Sequence, residues 1–152
     1  MAVFTVEKLG RKPLLIFGSI GMAVGALGVA LTFGNATLST VTMISIMVYS
    51  ASFMFSWGPI AWVLIAELFP NTIRGAAVAI AVAFQWIFNF IVSSTFVPMF
   101  NMHLTPGDDF GHWFTYGLYG VICILAAIFV WKLVPETKGK TLEDMSKLWR
   151  KE

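Results

Sequence analysis

Residues 38–66 read LSTVTMISIMVYSASFMFSWGPIAWVLIA, and residues 67–74 read ELFPNTIR. The first stretch carries no charge and exceeds the roughly 20 residues a helix needs to cross a bilayer. The second is a short charged hinge around Pro70. Beyond it, residues 76–100, AAVAIAVAFQWIFNFIVSSTFVPMF, are again free of charge. Runs of this length belong in lipid, where a chain segment must satisfy its own backbone hydrogen bonds, so they are read as helices. The long first run exceeds a perpendicular crossing, and either tilt or a break at Gly58-Pro59 accommodates the excess.

Outward from this hinge the chain repeats the pattern. Four spans are predicted, at about 14–33, 38–66, 76–100 and 113–131. Composition agrees: the 152 residues are 58% hydrophobic and only 12% charged, with a mean hydropathy of +0.81. Soluble domains carry about twice that share of charge. The fold class expected is therefore an all-α membrane protein. Met1 to Val6 is too short for the apolar part of a signal peptide. A lone cysteine, Cys123, excludes an intrachain disulfide.

Every Lys and Arg lies outside the spans. Lys8, Arg11 and Lys12 precede the first span, Arg74 separates the second and third, and Lys132, Lys138, Lys140, Lys147, Arg150 and Lys151 follow the fourth. The loops at 34–37 and 101–112 have none. Positive loops face the cytoplasm, which puts both termini there. Residues 1–13 then form a cytoplasmic loop and 134–152 a cytoplasmic tail. In that tail Thr141, followed by Asp144, suits a helix start. Leu142, Met145 and Leu148 recur at helical spacing, as in a short amphipathic surface helix.

Gly18, Gly21, Gly25 and Gly28 mark a close-packing face on the first span. Asn35-Ala36-Thr37 fits a glycosylation acceptor but is too short a pattern to carry weight. His103 and His112 flank a turn without further ligands nearby and are read as surface residues, not a metal site.

Two groups of residues stand out as polar groups where apolar ones are expected. Glu67 and Arg74 each have the wrong sign for their own helix end. They are expected to pair with each other or with charges on neighbouring loops, namely Arg11, Lys12 and Glu136. Deeper in the spans, Gln85 and Asn89 share a helix face with Ser93, and Trp86 lies beside them. Trp62 stands one turn beyond Gly58. Primary amides match sugar hydroxyls in both donor and acceptor capacity. An indole offers a flat face and one N–H. Such a set suits a neutral polyol. The other reading of Gln85 and Asn89 is interhelical glue, and Trp62 also suits an interfacial anchor.

Glu7-Lys-Leu-Gly-Arg-Lys-Pro13, Ser56-Trp-Gly-Pro-Ile-Ala-Trp62, Glu67-Leu-Phe-Pro-Asn-Thr-Ile-Arg-Gly75, Gln85-Trp86 and Val134-Pro-Glu-Thr-Lys-Gly-Lys-Thr141 occur in order. In this the chain resembles the C-terminal third of the sugar porters of the major facilitator superfamily. The resemblance implies helices nine to twelve of a twelve-helix bundle in a cell membrane. It implies sugar contacts at Gly58, Trp62, Gln85 and Trp86, to which helix geometry adds Asn89. It also implies a cytoplasmic ion network of Arg11, Glu67, Arg74 and Glu136, and proton symport of a monosaccharide by alternating access. Glu7 stands where the family more often has Asp. The family's proton-coupling carboxylate belongs to a helix not represented here, and no Asp or Glu lies within any span. Expected partners are a monosaccharide, the bilayer, and either the N-terminal helices of a parent transporter or other copies of the chain. No cofactor, metal or nucleic acid is expected. The alternative is a self-standing four-helix protein that oligomerises, its polar groups serving as glue. No nucleophile–base pair or metal cluster supports an enzyme.

Overall fold

The computed structural model describes residues 10–69, 71–104 and 109–134. The described residues are helical throughout, apart from short connections. Helix α1 runs Arg11–Thr32, α2 Ser39–Phe55, α3 Trp57–Leu68, α4 Asn71–Phe100 and α5 Phe110–Leu133. A 3₁₀ turn, Ala36–Leu38, leads into α2. Four segments are long and apolar enough to cross a membrane: α1, Ala36–Leu68, α4 and α5.

The second segment is broken at Ser56, whose φ −116° and ψ −90° depart from helix. The sequence points to Gly58-Pro59, and the break falls upstream for a geometric reason. A proline ring clashes with the carbonyl four residues before it and cannot bond to it. For Pro59 that carbonyl belongs to Phe55, the last residue of α2. The Ser56 amide turns instead to the Phe53 oxygen at 3.3 Å. Pro59 itself then sits in the first turn of α3, where a missing N–H costs little.

Helix α1 is the spine of the bundle. Leu14, Leu15, Gly18, Ser19, Met22, Ala23, Gly25, Ala26, Val29 and Ala30 form its buried stripe, which packs against α5 on one side and α2 on the other. The glycine face meets α2. A Cβ at Gly18 would fall inside the Ser56 side chain, one at Gly21 inside Ser52, one at Gly28 inside Ser45, and one at Gly25 would lie 2.8 Å from the Ser45 oxygen. Small residues on both helices let the backbones approach. Hydroxyls reinforce the seam: Thr42 Oγ1 lies 2.8 Å from Thr32 Oγ1, which also donates to the Gly28 oxygen.

At the start of α1 and along α3, Leu14, Leu15, Ile60, Leu64 and Val130 form an apolar cluster, with Ile16, Trp57 and Val134 packed on it. Helix α4 has no buried residue. At its end Phe96 stacks on Tyr119 and meets Tyr116 edge-on, and Phe100 packs at a tilt on His112 of α5. His112, expected as a surface residue, is instead half-buried between Phe33 and Phe100, with ring centroids 4.5 and 4.1 Å away. The aromatic ends of α1 and α4 enclose it, and Asp109 Oδ1 lies 3.3 Å from its Nδ1.

Candidate functional site

The ionic residues gather where α1 begins and α3 ends. Arg11 Nη2 donates to Glu67 Oε1 at 2.6 Å. Both side chains are partly buried, at 18% and 29% exposure. Arg11 opens α1 and Glu67 lies in the last turn of α3, so each carries the sign its own helix end disfavours. Bringing the two ends together sets each misplaced charge beside its complement. Phe69 turns extended after α3 (φ −105°, ψ 137°), as a residue preceding proline does. Arg74, in the first turn of α4, donates weakly through Nε to the Phe69 carbonyl at 3.4 Å. Its Nη2 is buried without a hydrogen-bond partner among the described residues. Glu136 and the helix expected in the tail lie outside the described residues.

The five predicted sugar residues divide between two helices. Gly58 and Trp62 lie one turn apart on α3, and Trp62 is 38% exposed. Gln85, Trp86 and Asn89 lie midway along α4 and are all exposed, Trp86 at 68%. Among the described residues no hydrogen bond or ring contact joins the two sets. Gln85 takes part in no interhelical bond there, and the Asn89 amide oxygen receives only Ser93 Oγ from its own helix, at 3.4 Å. Besides the Arg11–Glu67 pair, bonds between helices come from hydroxyls and an indole elsewhere: Ser56 Oγ donates to the Leu14 oxygen at 2.9 Å, and Trp57 Nε1 to Ser19 Oγ at 2.7 Å. Sequence reading missed these pins because each pairs residues about 40 positions apart.

A cavity of about 240 Å³ opens between α1, α2, α4 and α5, lined by Tyr49, Phe96, Tyr116 and Tyr119 among others. None of the five predicted sugar residues lines it. Gln85, Trp86 and Asn89 stand on the open side of α4. Among the described residues no cluster of His, Cys, Asp and Glu is placed to hold a metal.

The described residues thus give four segments long and apolar enough to cross a membrane, with a half-helix starting inside the long second one. Residues 1–149 match the family model described as sugar (and other) transporter, and the chain belongs to that family. It is 49% identical to the D-xylose-proton symporter of Escherichia coli over 152 residues, covering 100% of this chain and 31% of that protein. It is 42% identical to the glucose transport protein of Synechocystis, covering 95% of this chain and 32% of that protein. In shape it is similar to the inward-open xylose transporter of E. coli, with a TM-score of 0.85 and 48% identity over 98% of this chain and 32% of that one. The chain thus spans about a third of the length of these relatives. They are transporters rather than enzymes, in agreement with the reading from sequence.

Proposed function

We propose that this chain forms helices nine to twelve of a twelve-helix sugar transporter, which carries a monosaccharide by proton symport and alternating access. The observation that carries this reading is the open polar face of α4. Gln85 and Asn89 are not consumed in bundle packing among the described residues, so their amides stay available to hydroxyl groups. Gly58, Trp62, Gln85, Trp86 and Asn89 are the proposed sugar contacts. The remaining helices of the transporter enclose the sugar and supply the intramembrane carboxylate for proton coupling, since the spans here offer none.

The Arg11–Glu67 pair and Arg74 are proposed as part of a cytoplasmic ion network, with Glu136, that biases which side of the cavity is open. Both termini are proposed to face the cytoplasm on the charge distribution.

The sugar reading is tested in the full-length transporter with Gln85→Ala and Trp86→Ala. Each removes groups that replace water around a desolvated hydroxyl, so binding of D-xylose or D-glucose is expected to weaken about tenfold. Undiminished affinity in both variants returns these residues to a packing role. Orientation is tested by cysteine labelling: an impermeant thiol reagent outside the cell is expected to label Ser39→Cys and spare Asn71→Cys. The native Cys123 is buried and gives little background. Labelling of position 71 from outside reverses the topology.

A further inference from the structure

Helix α3 carries Gly58 and Trp62, yet helix continuity does not set its orientation. The break at Ser56 uncouples it from α2, so side chains must fix its rotation about its own axis. At 100° per residue, Trp57, Ile60 and Leu64 fall within roughly 60° of arc. Gly58 and Trp62 lie on the other side, about 100° and 140° from Trp57. The first group faces α1: Ile60 is fully buried, Leu64 nearly so, and Trp57 packs on the same cluster. Apolar contacts alone resist rotation weakly, because neighbouring rotations bury similar area. A directional bond does not share that tolerance.

Such a bond exists. Trp57 Nε1 donates to Ser19 Oγ at 2.7 Å, and Ser19 Oγ in turn donates to the Leu15 oxygen at 2.8 Å. Ser19 is fully buried. Its donation within α1 fixes the hydroxyl, leaving lone pairs aimed at the indole. The spine helix therefore holds the first residue of α3 by one short bond, adjacent in sequence to Gly58.

We propose that Ser19, which touches no sugar, is a positioning residue. Through Trp57 it sets the rotation of α3 and so the placement of Gly58 and Trp62 toward the sugar. This rests on the sugar-transport reading above.

The test uses the full-length transporter, with D-xylose and D-glucose as probes. Ser19→Ala strands the indole N–H, and Trp57→Phe removes it while keeping a ring. Each is expected to raise the Kd and KM for the probe sugar roughly tenfold, with kcat at saturating sugar falling less than twofold. Because both changes break one bond, the double variant is expected to bind within about twofold of the worse single one. A Kd within twofold of the parent in either variant overturns the proposal. So does an additive loss in the double variant, or a lowered unfolding temperature with Kd unchanged. Should Ser19→Ala fail to accumulate, Trp57→Phe decides alone by the same criterion. Gln85→Ala, measured in parallel, separates the two claims. If it weakens binding while the Ser19 and Trp57 variants do not, only the positioning role falls. If the unmutated transporter binds neither sugar, both fall.

Discussion

Helices α1 and α4 are both free of charge across their middles, and both are long enough to cross a bilayer. Yet α1 buries a full stripe and α4 buries nothing. Apolarity does not explain the difference, since lipid is as apolar as leucine and no hydrophobic force drives helices together there. The helices described make up about a third of the relatives' length, and within them small residues let α1 pack closely. Within and beside the α1 stripe, Gly18, Gly21, Gly25 and Gly28 each lie against a small residue or backbone of α2 or of the joint at Ser56. The single glycine of α4, Gly75, has open space around it, and the middle of α4 presents Phe84, Trp86, Ile87, Phe88 and Phe90 in its place. Polar residues divide in the same way. On the α1 side, hydroxyls are spent on helix-to-helix bonds, whereas on α4 the amides are left facing outward.

The sharpest way to break this contrast is to spoil the seam. Gly25→Leu places a branched side chain where even a Cβ would crowd Ser45 and Tyr49. A loss on the order of 3 kcal/mol is expected, seen as a large drop in unfolding temperature in detergent. Tolerance of leucine there would show that the helices part at little cost. Cutting the Arg11–Glu67 pair with Glu67→Gln should cost about 1 kcal/mol, because the pair is partly solvated. The more telling readout is transport turnover, expected to fall as the conformational balance shifts. Unchanged turnover would reduce the pair to an end-cap for two helices. The smallest effect is expected on the open side. Gln85→Ala should leave the unfolding midpoint within about 0.5 kcal/mol of the parent while weakening sugar binding. A stability loss to match that of the seam would make α4 a packed helix and Gln85 its glue.

Much of this was legible in the residues. Charge-free runs marked the helices, Pro70 marked the end of α3, and the glycine spacing marked the packed face of α1. The candidate site was legible as types and spacings: two amides one turn apart, two indoles, a glycine. What escaped was what each residue meets. Proline acts on the carbonyl four positions upstream, so Pro59 moved the break to Ser56. Nothing in the spacing singled out Ser19, which Trp57 meets across the bundle. His112 looked solvated until Phe33 and Phe100 closed over it. Such pairings join residues distant in sequence, and single-chain periodicity holds no record of them.

The joint at Ser56 also sets a matter of length. The segment Ala36–Leu68 holds 33 residues, which as one straight helix would measure about 50 Å against a hydrocarbon core of about 30 Å. Divided, it gives α2 of 17 residues and α3 of 12, or roughly 26 and 18 Å. Neither piece reaches across unaided, so the joint itself sits within the hydrocarbon. The angle there fixes how much of the segment's length is projected along the membrane normal. The match between segment and membrane is therefore a matter of that angle as well as of tilt.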